Sequence, residues 1–292
     1  MKKKTKLPLF LRLIHWAFPK VETVSSYLAS EWAWKLFFTP FRFTPPATEA
    51  ETAEKATLFK LSVENIEIQG YEWGQGDKTI LVLHGWSGRA TQFRKFISPF
   101  NELGYKVVGI DGPSHGKSSG NRTHIMEFVA VLKAVKQKYP EIEAIIAHSF
   151  GGAASIMAIR EGLAINRLIN IGTPTDGDYI IDDFLRRING KPKSGELFKQ
   201  KVLDMFNKPF SNYSVKESIK YMKDDFELLM IHDNNDKEVP IKHPLDLHAA
   251  HPNTKLITTD GLGHMRILKD KEVINHCINF VVQEKSKITE VV

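Results

Sequence analysis

Across 292 residues there is one cysteine, Cys277. A single thiol excludes an internal disulfide framework and any cysteine-rich zinc site. Its apolar neighbours Val273, Ile274, Ile278 and Val281 mark it as a small core residue rather than a nucleophile. No uninterrupted apolar run approaches the ~20 residues that a membrane-spanning helix needs. No H-E-x-x-H occurs, and His243, His248 and His251 lack the i, i+4 spacing of a metalloprotease helix. Gly116-Lys117-Ser118 ends like a phosphate-binding loop, but the glycine such a loop needs at position 111 is Asp111. No metal and no cofactor are therefore expected. The body of the chain also lacks a surplus of positive charge: residues 44–292 carry 32 Lys/Arg and 32 Asp/Glu. That balance argues against a nucleic-acid partner.

The net charge of +6 comes entirely from residues 1–43, with eight Lys/Arg and two Asp/Glu. Lys2, Lys3, Lys4 and Lys6 precede an apolar run from Leu7 to Phe18 that resembles a signal peptide in outline. Arg12 and His15 interrupt that run, and no small-x-small cleavage site follows at once. Trp16, Phe18, Tyr27, Trp32, Trp34, Phe37, Phe38, Phe41 and Phe43 make the segment aromatic as well as basic. Two readings stand side by side. The segment is a helical brace packed on the main domain, or an in-plane element touching anionic lipid, with Leu9, Leu13 and Trp16 on one face. The expected location is the cytoplasm, free or held peripherally at a membrane through residues 1–43.

Residues 44–56, with Pro45 and Pro46, read as a linker. Beyond it Thr57–Val63 and Ile66–Trp73 form a hairpin around Glu64-Asn65. Thr79–Leu83 is an unbroken apolar strand of the buried parallel kind. Further strands are expected at Val107–Ile110, Ile142–Ala147, Leu168–Ile171, Glu227–Ile231 and Lys255–Thr258. Helical periodicity lies between them: Phe96, Ile97 and Phe100, with Pro99 expected to kink or shorten that helix, then Ile125–Val135, the stretch after Ser149, and Asp270–Val282. This alternation predicts a mostly parallel sheet with helices on both faces. The core is assigned to 57–176 and 225–292. Residues 177–224 carry three helical patterns, Tyr179–Ile188, Gly195–Phe206 and Val215–Met222, and read as a helical cap inserted over the strand ends.

The chemistry centres on Ile145-Ile146-Ala147-His148-Ser149-Phe150-Gly151-Gly152. A serine at a helix start is ordinarily a cap. One pinned between an apolar strand and Gly-Gly fits the G-x-S-x-G nucleophile turn, with Ala147 in the first glycine's place. Ser149 needs a base to take its proton. A histidine side chain is the usual base for that task, and His264, in Gly261-Leu262-Gly263-His264 just after a strand, is the candidate. Asp236 would orient the imidazole, with Asp233 three residues earlier as the rival. The backbone N–H groups of Trp86 and Phe150 would hold charge developing on a carbonyl oxygen. His84, His115 and His148 read as structural hydrogen-bonders.

Taken together, these stretches resemble the α/β-hydrolase fold family. His84-Gly85-Trp86-Ser87-Gly88 is similar to its oxyanion loop, and Asp111–Ser118 to its D-x-P/R-G-x-G-x-S turn, with Ser114 in a glycine's place. His232–Pro240 resembles the acid loop, with Asp233 where the family has glycine, and Gly261–His264 resembles the histidine loop. The order Ser149, Asp236, His264 is the family's order. The resemblance covers residues 84–264 and does not reach residues 1–50. It implies a Ser-Asp-His serine hydrolase with a helical cap. Serine rather than aspartate at 149 points away from the family's dehalogenases and epoxide hydrolases. The expected substrate is a small-molecule carboxylic ester of an apolar acyl group or small aromatic acid, with cap aromatics such as Phe184 and Phe198 setting acyl length. Thioesterase or lysophospholipase activity is the alternative. A cofactor-free peroxidase and a non-catalytic ligand-binding protein are rivals on the same fold. Oligomeric state is not legible.

Overall fold

The computed structural model describes residues 9–283, so Lys2, Lys3, Lys4 and Lys6 lie outside the described residues. Helices α1 (Leu9–Val24), α2 (Ser26–Phe37) and α3 (Ala47–Glu54) precede the first strand. Eight strands follow: β1 (Thr57–Val63), β2 (Ile66–Trp73), β3 (Lys78–Leu83), β4 (Tyr105–Ile110), β5 (Ile142–His148), β6 (Arg167–Ile171), β7 (Glu227–Asp233) and β8 (Lys255–Thr259). Between them run α4 (Arg94–Glu102), α5 (Ile125–Lys138) and α6 (Phe150–Arg160). The β6–β7 interval holds α7 (Gly177–Ile188), α8 (Pro192–Phe206) and α9 (Val215–Ser218). Helix α10 (Lys242–Ala250) joins β7 to β8, and α11 (Gly263–Arg266) and α12 (Lys271–Val282) come last.

The strands lie in the order β1-β2-β4-β3-β5-β6-β7-β8. Pairs β1–β2 and β2–β4 are antiparallel, and every later pair is parallel. Glu64 and Asn65 both take positive φ, the two-residue turn whose twist suits a tight hairpin. Ile80, Leu81, Val82 and Leu83 are fully buried, as an apolar strand covered on both faces must be. On one face α5 and α6 bury Phe128, Leu132, Val135 and Ile156 against the sheet. On the other α4 and α12 bring Phe96, Phe100, Val273, Cys277 and Phe280. The chain leaves β3 towards β4 on one side and returns to β5 on the other. The carboxyl ends of β3 and β5 therefore flank the crevice where open α/β sheets hold their ligands.

The structure adds local detail at three of the places read from sequence. Helix α4 runs through Pro99 to Glu102, so proline removes one intrahelical bond there without ending the helix. The 44–56 linker contains α3, whose sequence has no apolar stripe for periodicity to reveal. Its anchor is ionic: the buried Glu49 carboxylate lies 2.7 Å from Arg89 Nε and 3.5 Å from Arg94 Nη1, and accepts the Thr91 hydroxyl at 3.2 Å. Asp270 stands just outside α12 as its N-cap, accepting the N–H groups of Glu272 and Val273.

The leading helices α1 and α2 and residues 177–224, far apart in sequence, share one core. Phe18, Ala29 and Ala33 of the leading helices are buried with Ile181, Leu185, Ile188, Phe198 and Val202 of α7 and α8. Polar contacts follow the same seam. The Glu22 carboxylate accepts the Lys191 N–H at 3.0 Å and the Ser194 hydroxyl at 2.5 Å, where α8 begins. Lys201 pairs with Glu31.

Candidate active site

Strand β5 ends at His148, and α6 opens at Phe150. Ser149 between them takes φ 51° and ψ −123°, a conformation an L-residue adopts only under constraint, at about 1–3 kcal/mol. The constraint is visible: the Ser149 N–H donates to the Ile171 carbonyl at 2.9 Å, and the Gly152 N–H donates to the Ser149 carbonyl at 3.0 Å. A sharp turn between a buried strand and a helix start lifts the Ser149 side chain to the end of the sheet. The side chain is partly exposed there, while His148 beside it is buried.

Asp236 and His264 meet directly, with Asp236 Oδ2 2.7 Å from His264 Nδ1. Both side chains are nearly enclosed, at 1% and 7% exposure, so their attraction is little screened by water. Asp236 Oδ1 accepts the N–H groups of Glu238 at 2.8 Å and Val239 at 3.0 Å. Burial pushes the Asp236 carboxyl up, but His264 and these two N–H donors together hold it below the usual carboxylate value. A methyl group added at Gly172 would lie 3.3 Å from His264 Nδ1 and 3.7 Å from Asp236 Oδ2. Gly172 directly follows Ile171, the partner of the Ser149 N–H. Ser149, Asp236 and His264 thus gather at the carboxyl ends of β5, β6 and β7.

Asp233 does a different job. Its Oδ2 accepts the Thr259 hydroxyl at 2.9 Å and the Leu262 N–H at 2.8 Å, and its Oδ1 accepts the Asn235 N–H at 3.0 Å. It fastens the loop that carries His264 without touching the imidazole. Where the family has glycine, this chain has a loop clamp.

The loop after β3 lies against Ser149. A methyl group at Gly85 would come within 2.8 Å of the Ser149 Cβ, so this approach requires glycine. The Trp86 ring meets the Phe150 ring edge-to-face at 5.2 Å, bringing the two residues expected to offer backbone N–H groups side by side. Phe150 is the first residue of α6, where an N–H has no partner inside the helix.

His84, His115 and His148 make structural hydrogen bonds, and each stays neutral. His84 bonds the Gly85 carbonyl through Nδ1 at 2.7 Å and accepts the Gly112 N–H at Nε2 at 2.8 Å, and burial pushes it down to about 4. His115 bonds the Pro113 carbonyl at 2.8 Å, and burial pushes it down to about 3. His148 Nε2 lies 2.9 Å from the His264 carbonyl oxygen, and burial pushes it too down to about 3. Asp111 is a knot rather than a phosphate-loop residue: its carboxylate accepts the N–H groups of Ala90 and Lys117, each at 2.9 Å. Among the described residues no cluster of three His, Cys, Asp or Glu side chains is arranged to hold a metal.

Two residues with no motif to announce them reach the same loops. The Phe41 N–H donates to the Ser87 hydroxyl at 2.9 Å, where Ser87 takes positive φ beside Trp86. Arg42 donates to the carbonyls of Ser114, Ser118 and Gly120 at 3.1, 2.7 and 2.8 Å. Residues 38–43 therefore form a strap from the leading helices to the loop beside Ser149. The cap aromatics fare differently. Phe198 is fully buried among Trp34, Phe37, Phe38 and Phe210, and Phe184 packs on Phe37. Phe198 is thereby a core residue of the helical layer, which corrects its expected place beside an acyl chain. Tyr179 of α7 instead reaches the acid loop, its hydroxyl 3.3 Å from the Glu238 carbonyl.

A family profile described as the alpha/beta hydrolase fold matches residues 78–204. The 2-hydroxy-6-oxononadienedioate/2-hydroxy-6-oxononatrienedioate hydrolase of Escherichia coli is 30% identical over 169 residues, 54% of this chain. The chain spans little more than half, 57%, of that relative's length. An esterase of Pyrococcus furiosus superposes with a TM-score of 0.62 at 23% identity, over 83% of this chain and 95% of the esterase. The thioesterase domain of the curacin biosynthetic pathway gives 0.58 at 14% identity, over 78% and 99%. The strand order, the serine turn and these likenesses show an α/β-hydrolase fold. The chain is similar to the α/β-hydrolase fold family over residues 78–204.

Proposed function

We propose that the protein is a serine hydrolase that cleaves a carboxylic ester of an apolar acyl group or small aromatic acid through an acyl-serine intermediate. The observation that carries this reading is the strained Ser149 turn beside the 2.7 Å Asp236–His264 pair. In the proposed reaction Ser149 Oγ attacks the acyl carbon as its proton passes to His264 Nε2. Asp236 fixes the imidazole tautomer and stabilises its protonated form. The N–H groups of Trp86 and Phe150 hold the oxyanion. Collapse breaks the C–O bond and sends the alcohol off with the proton from His264. Water then repeats the cycle on the acyl-serine, releasing the acid. The aromatic rings of Trp86 and Phe150 beside Ser149 favour an apolar acyl group over a charged one.

Reaction with a fluorophosphonate probe, followed by turnover of acyl esters and acyl thioesters of graded length, tests the reading. Labelling should map to Ser149 and vanish in Ser149→Ala, with short and medium esters turned over fastest. Preference for thioesters or lysophospholipids would move the assignment to those acyl transfers. The Escherichia coli relative's name gives a substrate with ketone and carboxylate groups and no ester. A 6-oxo-dienoate belongs in the same panel for that reason, and its preferential cleavage would replace the ester by a carbon–carbon bond. Labelling without turnover of any acyl compound would leave the cofactor-free peroxidase and ligand-binding readings.

A further inference from the structure

Helix α1 has two apolar sides, and among the described residues only one has a protein partner. Phe18 is fully buried towards the cap helices, with Ile14 and Val21 packed beside it. On the opposite side Leu13, Trp16 and Val24 are 56, 64 and 83% exposed, and Tyr27 and Leu28 at the start of α2 are 67 and 55% exposed. The spacing 13, 16, 20, 24 places these residues and Lys20 in one line along the helix, about 16 Å long. An isolated exposed leucine needs no explanation, but a line of large apolar residues on one helix face does.

Charge narrows the occupant. Both carboxylates of the segment point inward: Glu22 binds the start of α8 and Glu31 pairs with Lys201. Arg42 is taken by the carbonyls of the Ser114–Gly120 turn. The outward side keeps Arg12 and Lys20, the latter with Nζ 4.6 Å from the Trp16 ring centre. In the sequence four more lysines, at positions 2, 3, 4 and 6, stand just ahead of this face. Apolar and aromatic side chains flanked by cations, with no acid among them, match the boundary between acyl chains and anionic headgroups.

We propose that the Leu13–Trp16–Val24 face of α1, continued by Tyr27 and Leu28, docks the protein in plane on an anionic lipid bilayer. The opposite face stays on the cap. The segment would thus brace and anchor at once, through two sides of one helix. No helix among the described residues is long and apolar enough to cross a membrane, so the contact is one of surface insertion.

The test is co-sedimentation of the full-length chain with vesicles of phosphatidylcholine alone, or containing roughly one third phosphatidylserine. Binding should appear with phosphatidylserine and weaken as salt rises. Leu13→Ser with Trp16→Ser should reduce it by about tenfold or more, since each side chain loses its apolar burial. Lys20→Glu should also reduce it. All variants should keep the parent's melting temperature, because the altered side chains face away from the core. Absence of binding to phosphatidylserine vesicles, or binding untouched by the double serine variant, would overturn the proposal. So would a dimer in sedimentation velocity that the same serine variant dissolves, which would give the face to a second copy of the chain.

Discussion

His148 donates from its buried imidazole to the backbone carbonyl of His264, 2.9 Å away. The residue before the serine thus holds the histidine opposite it, across 116 positions of sequence. With Asp236 gripping the ring and His148 gripping the main chain, the imidazole is restrained from both sides. His148→Ala should lower kcat on a short ester by about tenfold, with KM little changed, because a small misplacement of a proton acceptor is felt mainly in the chemical step. His148→Gln, which keeps a donor, should recover part of the loss. Equal activity of both variants at the parent's rate would leave His148 with a packing role only.

The acid loop gives a ranking of two aspartates. Asp236→Asn should cost ~10³–10⁴ in kcat, as loss of the orienting carboxylate does in such triads. Asp233→Asn should cost far less activity. It should still lower stability by about 1–3 kcal/mol, since the neutral amide serves the Leu262 N–H and Thr259 hydroxyl less well. Steady-state rates with urea melts of both variants separate the two roles, and a larger kcat loss in Asp233→Asn would reverse the assignment.

Arg42 ties the strap to three carbonyls of the Ser114–Gly120 turn. Arg42→Ala leaves those oxygens without their charged donor and should cost about 2–3 kcal/mol. Limited proteolysis should then cut within residues 38–46, where the parent protein resists. A cleavage pattern identical to the parent's would show that the strap is held by other contacts.

Truncation near Thr48 removes half of a core rather than a loose tail. Phe18, Ala29 and Ala33 leave Ile181, Leu185 and Phe198 facing water. The loss should be on the order of 5 kcal/mol for the cap layer, seen as a lower melting temperature and new binding of an apolar dye. A truncated form as stable as the parent would mean that the cap closes over its own apolar face.

Five buried histidines, His84, His115, His148, His232 and His243, are held below their ordinary value by burial, and the first three, shifted most strongly, set an acid limit. His84, His115 and His148 titrate near 6.5 in an unfolded chain but are pushed down to about 4, 3 and 3 by burial. Below about 6.5 the unfolded state takes up protons that the folded state refuses, so stability falls with pH through that window and is fully present above it. Each ring can withdraw up to about 1.4 kcal/mol per pH unit. Urea midpoints should therefore drop steeply between about pH 6.5 and 4.5, and His84→Gln should flatten the slope. A midpoint constant over that range would contradict the neutral, buried assignment.

The sheet was legible because its strands are local apolar runs: β3, β5, β6 and β7 lie within two residues of where composition alone sets them. The turn at Ser149 and the contact between Asp236 and His264 were legible because each residue sits in a short loop of recognisable spelling following a strand. The rest depends on partners distant in sequence. Glu49 in α3 makes sense only with Arg89, 40 positions on. Phe41 and Arg42 carry no signal until the turns at 87 and 114–120 are brought beside them. Phe198 looked like a cap aromatic free to meet substrate because the sequence does not reveal that Trp34, Phe37 and Phe38 enclose it.

The shared core of the leading helices and the cap also has a consequence for synthesis. Helices α1 and α2 leave the ribosome early, yet the lysine that pairs with Glu31 comes 170 residues later. At about 5–20 residues per second the hairpin waits roughly ten to thirty seconds with both of its apolar sides uncovered. Over that interval it is a ligand for whatever first offers a greasy surface, whether a chaperone, a neighbouring nascent chain or a lipid leaflet.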